Sequence, residues 1–183
     1  MLGTDGSGTI AAVGARIRRF AVEHPVYAAG FLHPFERGLR AGHHGFYAEY
    51  VVFCPHPHIG LATVTYLFDG RVMHRDSEGN ALEITPGAMN LMTAGRGIAH
   101  SERSPASARQ GTEGMFGIQS WIALPQGHEE TAPSFQHFDA ASLPVVEDGG
   151  VRARIIAGSA FGRTSPVGML SEWLYAEVLL GAG

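Results

Sequence analysis

Between Pro55 and Glu102 the chain carries two pairs of metal-ligand side chains at a spacing of two, His56-Pro57-His58 and His100-Ser101-Glu102. Successive side chains in an extended strand point to opposite faces, so residues two apart share a face. Each pair therefore projects its two groups together. If the strands face each other across a barrel or sandwich, three imidazole nitrogens and one carboxylate converge on one point. That donor set is borderline in softness and leaves room for further ligands. It suits Fe(II), Mn(II), Ni(II), Cu(II) or Zn(II) better than Ca(II) or a thiolate-bound metal.

The surrounding chain is written in short strands. Phe46 to Cys54 is aromatic and β-branched, and Leu61 to Phe68 follows the first ligand pair. Asp69-Gly70 is a hairpin signal with Arg71 to Arg75 returning, and Ser77-Glu-Gly-Asn80 is a second turn. Ala81 to Thr85 and Ala88 to Thr93 flank Pro86-Gly87, and Ala94-Gly95-Arg96-Gly97 leads into the strand bearing His100 and Glu102. Further strands read over Gly114 to Leu124, Phe135 to Phe138, Val145 to Glu147 and Val151 to Ala157. Such strands at regular intervals, punctuated by Gly, Pro and Asn, predict an all-β antiparallel fold with jelly-roll closure.

The ends of the chain read differently. Residues 1–12 are expected to form a flexible N-terminus, 13–160 the barrel, and 161–183 a C-terminal strand segment packing on the barrel or on a partner chain. Val13 to Phe20 alternates as a half-exposed strand would. Tyr27 to His44 reads as a loop over the barrel mouth, with His33, His43 and His44 as loop histidines. The last strand, Trp173 to Leu180, is strongly apolar. An uncovered strand of that kind pairs readily with another chain, so a homodimer is expected.

Composition narrows the function classes. A chain of 183 residues, 45% hydrophobic and 16% charged, fits one compact soluble domain. The net charge is −4 and the longest basic stretch is Arg16-Ile-Arg18-Arg19, which argues against direct nucleic-acid binding through phosphate contacts. No apolar run reaches the ~20 residues of a membrane-spanning helix, and no signal peptide is visible, so a cytoplasmic location is the default expectation. Cys54 is the single cysteine. It is expected as a small buried hydrophobe, with a role as an extra ligand the alternative.

The run His56-Pro-His-Ile-Gly-Leu-Ala-Thr-Val-Thr-Tyr-Leu-Phe-Asp-Gly70, then His74-Arg-Asp-Ser-Glu-Gly-Asn80, Pro86-Gly87 and Met92-Thr-Ala-Gly-Arg-Gly-Ile-Ala-His-Ser-Glu102, resembles the pirin family of the cupin superfamily. Gln119-Ser-Trp-Ile-Ala-Leu-Pro125 and Val145 to Gly158 extend the likeness. The resemblance implies a cupin barrel holding one metal, usually iron, on the positions of His56, His58, His100 and Glu102. It also implies either quercetin 2,3-dioxygenase activity on a small aromatic flavonol with O2, or a non-catalytic, metal- or redox-dependent regulator that binds a protein partner.

Three departures stand out. Pirins are usually two cupin domains in tandem, whereas these 183 residues are expected to hold one, with a homodimer partner as the simplest substitute for the second. The family's Arg after the second histidine and Glu four residues after it are here Ile59 and Ala62. By strand parity with His56, Ala62 would make the cavity less polar, and Val64, Tyr66 and Phe68 are candidate pocket-wall residues. Glu102 doubles as the candidate catalytic base for the flavonol hydroxyl.

Overall fold

The structure, a computed structural model, describes residues 4–9, 25–30, 52–106 and 115–180. In chain order its strands are β1 (Thr4–Thr9), β2 (Pro25–Gly30), β3 (Val52–His58), β4 (Leu61–Asp69), β5 (Val72–Asp76), β6 (Ala81–Ile84), β7 (Met89–Thr93), β8 (Ile98–Arg103), β9 (Phe116–Ala123) and β10 (Ser134–Phe138). After a short 3-10 turn at Ala140–Ser142 come β11 (Val145–Asp148), β12 (Val151–Ala157), β13 (Ser159–Ala160), β14 (Arg163–Thr164) and β15 (Tyr175–Leu180). The all-β expectation holds, and the pairings among these strands are antiparallel.

Two four-stranded sheets, ordered β10-β7-β4-β9 and β3-β8-β5-β6, form the body of the fold. Side chains meet between them: Thr65 of β4 reaches Glu102 of β8, and His74 of β5 stacks on Phe135 of β10. The chain passes between the sheets at the Asp69-Gly70 turn, at Pro86-Gly87 and again at residues 94–97. Asp69-Gly70 was expected to close a hairpin. Gly70 does supply the positive φ of 77° and donates its N–H to Asp69 Oδ1 at 2.9 Å, but β4 is already paired on both edges, with β7 and β9. The returning strand β5 therefore pairs with β6 and β8 in the other sheet.

β4 is buried continuously from Ala62 to Leu67. Ala62, Val64 and Tyr66 lie in a core with Met89, Leu91, Leu143, Ile156, Ala157 and Val167. That core is closed from outside by a third sheet, ordered β11-β12-β15, through Ile156, Ala157 and Tyr175. Val167, Met169 and Trp173 join it, so the segment that carries them packs on the body of the fold. Arg154 of β12 fastens this sheet further, donating from Nη1 to Gly87 O at 2.8 Å and Ala140 O at 3.3 Å.

The N-terminal reading is corrected in part. Residues 4–9, expected within a flexible end, form β1 paired with β2 along its whole length, because a partner strand can satisfy backbone amides that composition alone leaves to water. Residues 27–30, expected as loop, belong to β2. The Val13 to Phe20 strand and the loop histidines His33, His43 and His44 lie outside the described residues. Among the described residues no helix is long and apolar enough to cross a membrane.

Met89 is fully buried in the main core, whereas Leu180 is 69% exposed. Met89→Ala is expected to destabilise the chain by about 2 to 5 kcal/mol through lost burial and a cavity, and Leu180→Ser by under about 0.5 kcal/mol. Urea unfolding of the two variants beside the parent measures both; equal shifts in midpoint would contradict this packing.

Candidate metal centre

β3 and β8 run antiparallel with His56 directly opposite His100. Upstream, Phe53 pairs with Glu102, so β3 holds one extra residue in the Phe53 to His56 interval. Pro55 lies there, and its missing N–H cannot extend a ladder. The bulge turns Cys54 outward. The thiol is exposed, correcting the expectation of a buried hydrophobe, and the Cys54 carbonyl accepts a hydrogen bond from His56 Nδ1 at 2.8 Å. A carbonyl can only accept, so the proton of His56 sits on Nδ1 and its Nε2 presents a lone pair.

His100 Nε2 lies 3.1 Å from His56 Nε2 and 3.0 Å from His58 Nε2. A single ring nitrogen carries at most one hydrogen and cannot make two full N–H···N bonds. With metal–nitrogen bonds of about 2.1 Å, ligands at right angles stand ~3.0 Å apart and ligands at the tetrahedral angle ~3.4 Å apart. The measured separations match the first arrangement, so the three imidazoles fit a divalent ion with further positions to spare.

Electrostatics support the same fit. Burial, and then the neighbouring His56, push His58 down to about 4. Burial pushes His100 down to about 3, with His56, His58 and His74 adding to it and Asp76 opposing. Both rings are neutral at pH 7, with lone pairs available to a cation. Nδ1 of His100 is buried without a hydrogen-bond partner, so the metal-free cluster is a source of instability.

Glu102 stands in an adjoining group with His74 and His100, whose ligand atoms lie within 4.8 Å of one another. Its carboxylate, 4% exposed, accepts from Thr65 Oγ1 at 3.1 Å on Oε1 and from Gln119 Nε2 at 2.7 Å on Oε2. His74 pairs across the ladder with Glu102, stacks on Phe135 and bonds Asp76 Oδ2 through Nε2 at 3.0 Å. Burial alone would raise the Asp76 carboxyl. Hydrogen bonds from His74 and from the Asn80 side chain and backbone outweigh it and hold the group below its ordinary value. Asp76 Oδ1 also accepts from the N–H groups of Glu78 and Asn80, each at 3.0 Å, which ties the β5–β6 turn to this corner of the site.

The proposed pocket wall is corrected. Val64 and Tyr66 are fully buried in the outer-face core and Phe68 packs against it, away from the histidines. Parity counted from His56 treats the chain as one continuous strand. Gly60, with a φ of 69° and its N–H bonded to Gly95 O, interrupts it and reverses the phase. Thr63 and Thr65 thus face the site while Ala62 faces the core, and the exchange of carboxylate for methyl at 62 leaves the histidine cavity untouched. Ile59 is 66% exposed.

Thr65, His74, Gln119 and Trp121 stand against the cluster, and sequence reasoning did not single them out. The i, i+2 spacing of His74 and Asp76 was the available signal for that pair. Trp121 of β9 meets His58 edge-on, ring centroids 5.1 Å apart, and is 37% exposed.

A family model described as Pirin matches residues 23–122. A Caulobacter vibrioides protein named Pirin-like protein is 50% identical over 130 residues, which cover 70% of this chain and 45% of that protein. The Mus musculus protein named Pirin is 36% identical over 132 residues, 72% of this chain and 44% of its own length. The solved structure titled Quercetin 2,3-dioxygenase from Acinetobacter baumannii superposes with a TM-score of 0.62 at 38% identity, covering 69% of this chain and 40% of that one. This chain therefore spans less than half the length of each of these proteins.

Unfolded histidines take up protons near pH 6.5, whereas folded His58 and His100 stay neutral until about 4 and 3. Above pH ~6.5 neither state is protonated and stability is unaffected; as pH falls below that, the unfolded chain binds more protons and stability declines by on the order of 1 kcal/mol per pH unit per histidine. Thermal unfolding of the metal-free chain from pH 7 to 4 is expected to show a falling Tm, with a shallower fall in His100→Leu. A Tm that holds constant over that range would contradict these environments.

Proposed function

The chain belongs to the pirin family, and from that premise we propose that it is a metal-dependent dioxygenase of the quercetin-cleaving type. His56, His58 and His100 hold one divalent ion, Fe(II) by preference over Mn(II), Ni(II), Cu(II) or Zn(II), and Glu102 completes the site. The observation that carries this reading is the approach of three Nε2 atoms to 3.0 and 3.1 Å. The likeness to a structure titled as a quercetin 2,3-dioxygenase supports the substrate class.

An ion held by these residues would supply Lewis acidity toward a flavonol hydroxyl. The remaining chemistry falls to the chain itself. His56 fixes its proton on Nδ1 through the Cys54 carbonyl and so turns the lone pair of Nε2 toward the ion position. Glu102 is the proton acceptor for the 3-hydroxyl, a buried carboxylate whose two oxygens are held by Thr65 and Gln119. Trp121, edge-on to His58, offers an aromatic surface to a planar ring. The apolar side chains of β15, with Leu179 49% exposed, favour pairing with a second copy of this chain.

Purified protein is loaded with Fe(II), Mn(II), Ni(II) and Cu(II) in turn, and loss of quercetin absorbance is followed under air and under nitrogen. Oxygen-dependent loss is expected. It should be abolished in His58→Ala and lowered by about 10²-fold or more in Glu102→Ala. Stoichiometric metal binding without turnover by any metal would overturn the dioxygenase reading in favour of a regulator that binds a protein partner.

A further inference from the structure

Glu102 is anchored by residues of the opposite sheet in a closed ring of three hydrogen bonds. Gln119 Nε2 donates to Glu102 Oε2 at 2.7 Å and to Thr65 Oγ1 at 3.0 Å, and Thr65 Oγ1 donates to Glu102 Oε1 at 3.1 Å. The hydrogens account for themselves: the amide nitrogen has two and uses both, while the hydroxyl has one, gives it to the carboxylate and accepts from the amide. The opposite amide orientation would set a carbonyl oxygen against a carboxylate oxygen at 2.7 Å, so the direction of the ring is fixed by charge. Thr65 is 8% and Glu102 4% exposed, and burial makes each lost bond expensive.

We propose that Gln119 and Thr65 are positioning residues that decide how the Glu102 carboxylate is presented to an ion at the three histidines. An ionised carboxylate offers about four lone-pair sites. The ring takes one on each oxygen and leaves one on each, so Glu102 can give an oxygen to an ion without breaking either bond. The anchor also crosses between sheets, because Glu102 belongs to β8 whereas Thr65 and Gln119 belong to the neighbouring strands β4 and β9, paired at this register position. The β3–β8 ladder places the Glu102 backbone beside the histidines, and the far sheet then sets how its carboxylate is turned toward His100. This inference rests on the metal reading above.

The test is Co(II) titration of the full chain, read by affinity and by the visible absorption band of the bound ion. Gln119→Met removes both amide bonds at similar volume, and Thr65→Val removes the hydroxyl at similar shape. Gln119→Met is expected to weaken Co(II) binding by about 10- to 100-fold and to shift the band. Thr65→Val should move both readouts the same way by less, and Thr65→Ser should restore the parent values. A purely structural role would lower the Tm of the metal-free variants while leaving the Co(II) band in place, and that result overturns the proposal. Should Gln119→Met fail to fold, the contrast between Thr65→Val and Thr65→Ser decides the matter. Parent-like affinity and spectrum in Thr65→Val would then overturn it. Absence of Co(II) uptake by the parent protein overturns the metal reading and this proposal together, whereas uptake by the parent with unchanged variants overturns this proposal alone.

Discussion

The two main sheets and the layer behind them are arranged about β4, a strand paired on both edges and buried on both faces. Its two faces do different work. Ala62, Val64 and Tyr66 fill an apolar layer closed by the third sheet, and Thr63 and Thr65 face the histidines. A slip of one residue would exchange the two sets. The apolar core therefore holds the register that aims Thr65 at Glu102, and the stability of one layer fixes the chemistry of the other.

The histidine cluster is a different kind of constraint, because it is unfavourable in isolation. Three imidazole nitrogens at 3.0 and 3.1 Å cannot all be satisfied by one another, and burial keeps His58 and His100 uncharged. Such a group persists because the β3–β8 pairing, the bulge at Cys54-Pro55 and the bond from His56 to the Cys54 carbonyl hold it in place. Functional sites are where local strain of this sort is tolerated.

The strand alternation made the all-β class legible, and the two pairs spaced i, i+2 drew attention to the residues that now stand beside one another. Phase was lost at Gly60. Period-two counting is valid only within one strand, and a single positive-φ glycine sent Val64, Tyr66 and Ala62 to the opposite face from the one expected. Asp69-Gly70 was recognised as a turn, but its sheet-to-sheet crossing depends on which edges of β4 are already taken, a non-local fact. Gln119 gave no local sign of its role either. A glutamine within an apolar run reads as a solvent-facing position until a carboxylate 17 positions away in sequence is found against it.

Arg154 joins regions that the linear order keeps apart. Its guanidinium caps the carbonyls of Gly87 and Ala140, so one cation staples the β11-β12-β15 sheet to the corner between β6 and β7. Opening of the β11-β12-β15 sheet would leave two part-buried carbonyls without their partner and uncover Tyr66, so the amides of β4 and β12 are expected to exchange as one cooperative unit instead of fraying in turn.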